Sequence, residues 1–107
     1  MQPSYTYSAS VIRLVDGDRV DLRVDVGFYI FHESRFRLLG INTPERGEEG
    51  WAEATLYAGS LAPQGSPVVI RTTKADKYGR FLADVYANGV SVNTALLEAK
   101  LARPYNP

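Results

Sequence analysis

The stretch VDLRVDV, residues 20–26, sets Val20, Leu22, Val24 and Val26 on one side and Asp21, Arg23 and Asp25 on the other. That strict alternation is the period of a strand with one buried face. Working towards the N-terminus, VIRLV (11–15) reads as its partner strand, and Asp16-Gly17-Asp18 supplies turn chemistry between the two. Working towards the C-terminus, the run from FYIF (28–31) to FRLLGI (36–41) reads as strand again, either interrupted near His32-Glu33-Ser34 or turned at Gly27. Within it Arg37 has apolar neighbours on both sides and points away from the face that Phe36 and Leu38 bury.

The pattern changes after Gly50. WAEATLYAGSLA (51–62) is rich in helix formers, with Ala54, either Leu56 or Tyr57, and Leu61 near helical spacing, and Pro63 stops it. VVIRTT (68–73) is a β-branched run and reads as a strand. FLADVYANGVSV (81–92) reads as a hairpin, because Asn88-Gly89 tolerates the positive φ angles of a two-residue turn. Ser91 is placed to cap a second helix, VNTALLEAKLA (92–102), with Val92, Leu96 and Ala99 on one face; RPYNP (103–107) cannot continue it. Five strands, one helix after the third and another at the end predict a small antiparallel barrel.

The 107 residues suit one domain with one core, spanning 1–107. Hydrophobic residues make up 45% and charged residues 22%, the balance of a soluble globular chain. No apolar run reaches membrane-span length, and MQPSYTYSAS lacks the features of a secretory leader, so the expectation is a chain neither anchored nor visibly exported. Without cysteine there is no disulfide, thiol nucleophile or thiolate metal site, and the compartment is left open. Twelve basic and twelve acidic residues cancel, which argues against a broad basic surface for nucleic acid but allows a compact site with a few placed cations.

Functional side chains gather in three places: Asp16-Gly17-Asp18, Arg37 with Asn42-Thr43-Pro44-Glu45, and Asp76-Lys77-Tyr78-Gly79-Arg80. Asp18, Asn42 and the Thr43 carbonyl would be a partial oxygen set for a hard cation. Two arginines beside such an ion suit a phosphodiester, and Glu45 could position or deprotonate a water. Taken singly, each has an ordinary reading: Asp-Gly-Asp as a turn, Arg37 as a surface strand cation, Thr43-Pro44-Glu45 as a helix start with Thr as cap, and Lys77 to Arg80 as a solvated turn. His32 reads as a surface or turn histidine, Trp51 as core, and Glu53 as support for the rim.

Taken together, VDGD (15–18), FRLLGINTPE (36–45), DKYGRFLADVY (76–86) and NGVSVNTALLEAKLA (88–102) resemble the staphylococcal nuclease (thermonuclease) family along most of the chain. The resemblance implies a five-stranded OB-fold barrel, mainly β with two helices. It also implies a Ca²⁺-dependent nuclease that cuts DNA and RNA on the 5′-oxygen side and leaves 3′-phosphate ends. Position by position, it implies that Asp18 is a metal ligand, with Asn42 where the family usually has a second aspartate and Thr43 offering its carbonyl. Glu45 matches the glutamate that orients the attacking water. Arg37 and Arg80 match the two phosphate-binding arginines, and Lys77 and Tyr78 match residues that contact substrate phosphate. Tyr105 stands in the place of a tyrosine that stacks against the base.

The departures carry their own expectations. Asn42 removes one negative charge from the metal site and predicts weaker or altered metal binding, with Asp16 or Asp21 as candidate compensators. Arg46-Gly47-Glu48-Glu49-Gly50 is short and acidic where the staphylococcal enzyme is long and lysine-rich, which predicts a weaker, more salt-sensitive hold on nucleic acid. The family usually adds a further terminal helix after the tyrosine-containing tail; without it, the expectation is either that a neighbouring chain covers the apolar surface, with FYIF as a candidate homodimer contact, or that the barrel needs no cover. The competing reading is an inactive OB module that binds nucleic acid or protein, and an assembly role is a third.

Overall fold

The computed structural model describes residues 5–75 and 81–105. In chain order the elements are β1 (Tyr5–Asp16), β2 (Arg19–Asp25), β3 (Phe31–Leu38), β4 (Ile41–Asn42), α1 (Trp51–Leu61), β5 (Pro67–Ala75), β6 (Phe81–Ala87), β7 (Val90–Ser91), α2 (Val92–Glu98) and β8 (Arg103–Pro104). The main sheet runs β3-β2-β1-β5-β6-β7, and β3 also pairs in parallel with β6. That last pairing joins the ends, so β1, β2, β3, β5 and β6 close into a five-stranded OB-fold barrel. No helix among the described residues is long and apolar enough to cross a membrane.

Closure depends on β1. Its first half, Tyr5–Ser10, pairs with β5, and Ala9–Asp16 pairs with β2. Register shifts between Val11 and Arg13 and between Leu14 and Asp16 add the bend that lets one strand serve two sides. The strand therefore begins well before Val11. Its early part is rich in Ser and Thr, and pairing with β5 rather than an apolar alternation makes it a strand.

The alternation of β2 does what its period predicts. Val20, Leu22 and Val24 are buried in the barrel with Phe36, Leu38, Ile70, Val85 and Leu96. Each fully buried side chain of this kind contributes about 2–3 kcal/mol through removal of apolar surface from water. Val26 is the exception, because β2 ends at Asp25 and Val26 is exposed. Of the two expected breaks, the chain takes the turn at Gly27. The Ile30 N–H donates to the Gly27 carbonyl at 2.9 Å, and Phe28 and Tyr29 hold φ of 57° and 60°. FYIF is thus a hairpin tip whose first three residues lie outside the strand, with Phe28 93% and Tyr29 98% exposed.

Helix α1 sits on the barrel through Ala54 and Ala58, one turn apart and without exposed surface. Tyr57 packs against the core, whereas Leu56 faces solvent. Thr43-Pro44-Glu45 is not a helix start: α1 opens at Trp51, with Gly50 before it at φ 90°. At the other end, Asn88-Gly89 forms its tight turn with φ of 52° and 78°. The Ser91 hydroxyl accepts from Thr94 N–H at 3.1 Å and caps α2. That helix is shorter than its sequence suggests. It ends at Glu98 because Lys100 turns left-handed at φ 61°, and Leu101 N–H closes back onto the Leu96 carbonyl. Ala99 is consequently exposed rather than on the packed face.

Candidate functional site: a guanidinium held among oxygens

The turn between β1 and β2 carries two buried carboxylates, and a buried charge must be paired. Asp16 is saturated. Its Oδ1 accepts from Trp51 Nε1–H at 2.7 Å, and its Oδ2 accepts from Arg19. Asp18 is aimed the other way. Its Oδ2 accepts the Thr43 N–H at 3.1 Å and lies 3.6 Å from Arg37 Nη1, while its own carbonyl takes the Leu38 N–H. Gly17, between them, leaves little room for a side chain. A Cβ there would lie 3.1 Å from Ala54 Cβ and from two atoms of the Thr43 side chain.

Arg37 stands at the end of β3 with its side chain only 12% exposed. Its Nη2 donates to Asn42 Oδ1 at 3.0 Å and to the Ile41 carbonyl at 3.2 Å. Tyr105 supplies the remaining face, with Arg37 Cζ 4.8 Å from its ring centre. Tyr105 arrives there because β8 pairs with β4, setting Asn42 beside Arg103, and because Tyr105 N–H donates to the Gly40 carbonyl at 2.8 Å. The fixed cation at the end of a strand is thus locked by a carboxylate, an amide, a main-chain carbonyl and a ring.

The structure brings Asp18, Arg37, Asn42, Thr43 and Tyr105 together. Glu45 follows immediately after Pro44 but is solvent-exposed, and its side chain makes no hydrogen bond or ion pair among the described residues. The backbone there is ordered by Glu48. Glu45 N–H donates to Glu48 Oε1 at 2.6 Å, and Glu48 N–H returns to the Glu45 carbonyl. Lys77, Tyr78 and Arg80 lie outside the described residues. Glu53 is exposed in the first turn of α1.

The donor set tests the metal expectation. Asp18 carboxylate, Asn42 amide oxygen and Thr43 carbonyl are all hard oxygen donors, which fit a cation such as Ca²⁺ or Mg²⁺ and not a thiophilic metal. No group of three His, Asp or Glu residues with metal-binding geometry exists among the described residues. The expected compensators are committed elsewhere: Asp16 to Trp51 and Arg19, and Asp21 to Arg13 and Arg35. Asp18 is the single carboxylate of the set.

On the outer face of the barrel, Arg35 holds the Asp21 carboxyl below its ordinary value by a hydrogen bond at 2.8 Å, aided by Arg13 and opposed by burial. The same bond raises Arg35. His32 packs edge-on against Phe81 and is exposed.

Three positioning roles are not apparent from sequence motifs alone. Trp51 joins α1 to the Asp-Gly-Asp turn through Asp16. Asn93, buried on α2, accepts Val85 N–H and donates to the Leu39 and Ala83 carbonyls. Arg19 lies directly opposite Arg37 across β2 and β3. The last was recoverable once the hairpin turn was located, since pairing Asp25 with Phe31 counts back to Arg19 with Arg37.

Comparison with known proteins places the chain as a whole among its relatives. A family model described as staphylococcal nuclease homologue matches residues 35–107. Two proteins described as uncharacterized endonucleases, from Escherichia coli O157:H7 and Escherichia coli, are each 32% identical over 96 residues. The match takes in 89% of this chain and 59% of theirs, so the chain spans less than two thirds of those relatives. A family match over most of the chain, joined to a closed barrel with Asp18, Arg37 and Thr43 gathered at its rim, places this chain in the staphylococcal nuclease family.

Proposed function

We propose that the chain is a metal-dependent nuclease that hydrolyses phosphodiester bonds of DNA or RNA, cutting on the 5′-oxygen side to leave 3′-phosphate ends. The observation that carries this reading is the immobilised Arg37 beside Asp18 and Asn42. A guanidinium restrained on several sides is organised before substrate arrives, and so loses little freedom when it meets a phosphate.

Asp18, Asn42 and the Thr43 carbonyl would hold one hard cation, with Ca²⁺ as the proposed ion. When bound, it supplies positive charge against the phosphoryl oxygens. Thr43 N–H keeps Asp18 Oδ2 in place. Arg37 presents its donors to the non-bridging oxygens and stabilises the charge that grows on five-coordinate phosphorus. Exposed Glu45, one residue past Pro44, orients the attacking water and takes its proton. Arg80 is proposed as the second phosphate arginine, Lys77 and Tyr78 as further phosphate contacts, and Tyr105 as a base-stacking ring that also backs Arg37.

A second reading, a nucleic-acid- or protein-binding OB module without turnover, draws on two facts. Asn42 leaves the metal set with one carboxylate, and its amide oxygen is already engaged by Arg37. The deciding experiment is cleavage of a quenched fluorescent single-stranded DNA in Ca²⁺, in Mg²⁺ and in chelator, with Glu45→Ala and Arg37→Ala alongside. Calcium-dependent cleavage that both substitutions reduce by at least about a hundredfold supports the nuclease. No cleavage by the unaltered chain in any metal transfers the assignment to the binding module.

A further inference from the structure

Arg37 is not the only arginine on its side of the barrel. The outward-facing positions of β2 and β3 pair Arg19 with Arg37 and Asp21 with Arg35. Like charges directly opposite one another across antiparallel strands repel, so a bare Arg19–Arg37 pair is a local cost to the fold. The nearby acids offset it in part, one carboxylate to each arginine of the pair. Asp16 answers Arg19, Asp18 answers Arg37, and Asp21 is divided between Arg35 and Arg13. Four arginines therefore face three aspartates.

The geometry is that of a receptor. Arg19, Arg35, Phe36 and Arg37 line a concavity of about 250 Å³. Arg35 spends Nε and Nη2 on Asp21, and Arg19 spends Nε and Nη2 on Asp16, so Nη1 of each makes no hydrogen bond among the described residues. A guanidinium offers five N–H donors in a rigid fork, and the unspent ones match a phosphate oxygen. Arg35 and Arg37 are two residues apart on one strand, about 7 Å along it. That reach is comparable to the separation of consecutive phosphates in an extended nucleic-acid strand. Charges alternate along the rest of β2, through Asp21, Arg23 and Asp25, but at this end three guanidiniums surround one hollow beside the proposed reaction centre.

We propose that Arg19 and Arg35 form a second phosphate subsite, which takes the phosphodiester adjacent to the one held by Arg37. The ligand is a nucleic-acid backbone with at least two consecutive phosphates. The assignment rests on the nuclease reading for its neighbouring centre, but its test does not require turnover.

The test is fluorescence anisotropy of a labelled single-stranded DNA across a salt series, with the unaltered chain, Arg19→Gln, Arg35→Gln and the double variant. Arg71→Gln, on the exposed face of β5, controls for general loss of charge. Each subsite substitution should lower the slope of log affinity against log salt by about 1, and Arg71→Gln should leave it unchanged. Arg35→Lys should restore most of the slope. Arg35→Gln is the informative variant if Arg19→Gln unfolds, because Asp21 keeps Arg13 whereas Asp16 anchors Trp51. An unchanged slope in a folded Arg35→Gln variant overturns the subsite, as does an unaltered chain that binds no DNA at low salt. Arginine-dependent binding without cleavage in any metal overturns the nuclease reading and leaves the subsite standing.

Discussion

The side-chain amide of Asn93 donates to the Leu39 carbonyl at 2.9 Å across 54 residues of chain. It also donates to the Ala83 carbonyl and accepts Val85 N–H, so one buried residue of α2 ties β6 to the turn that follows Arg37. Asn93→Ala strands these main-chain groups away from water and should cost about 3 kcal/mol in urea unfolding. Asn93→Asp is more specific. Its carboxylate cannot donate to the two carbonyls, so the variant should be least stable at neutral pH and recover part of the loss when acid protonates it. A variant as stable as the unaltered chain at every pH would show the three bonds to be dispensable.

Asn42 sets the charge of the proposed metal site. Asn42→Asp keeps an oxygen beside Arg37 and adds a negative charge next to Asp18, which should tighten Ca²⁺ binding by about tenfold or more, about 1.4 kcal/mol. The calcium-induced rise in thermal midpoint reads this without any need for cleavage. A smaller rise than in the unaltered chain would mean that Arg37, and not an ion, claims the added charge.

Acid should weaken the outer face in a defined order. Arg35, with Arg13, holds the Asp21 carboxyl below its ordinary 3.8. A carboxyl depressed in the folded state stabilises the fold above its unfolded value, and the contribution fades as pH falls through the folded one. Asp21→Asn should therefore be less stable than the unaltered chain at neutral pH, with the gap closing only below 3.8. Denaturant titrations at several pH values check this; a gap independent of pH would assign the loss to packing.

The hairpin tip trades stability for exposed aromatic surface. Phe28 and Tyr29 both sit at positive φ, where a large side chain is strained and Asn or Gly is not. Replacing them with Asn and Gly should raise stability by about 1–2 kcal/mol. Sedimentation of the same variant addresses the expected homodimer. Association that survives the replacement would move the contact between copies away from this tip.

The local rules of the chain were legible where one neighbour decides the outcome. The alternation in 20–25 fixed the inner face of β2, Asn88-Gly89 its turn, and Ser91 its cap, because strand period, positive φ and hydroxyl capping act over a few residues. The joint motifs and the resemblance they carry named Asp18, Arg37, Asn42 and Thr43 as candidates, but Asp18 meets Thr43 across 25 residues of chain, by way of the β2–β3 pairing. Other features depended on contacts between distant segments. Lys100 ends α2 by turning left-handed in an otherwise helical run. Asp16 is taken up as a candidate compensator because Trp51, 35 residues on, holds one of its oxygens and Arg19 the other. Tyr105 reaches Arg37 only through the pairing of β8 with β4. Arg19 meets Arg37 only once barrel register is set. Residue type and spacing determined which groups could do chemistry; closure of the barrel decided which of them are paired with one another and which keep donors unspent, because pairing is a property of distances between segments that the chain order does not contain.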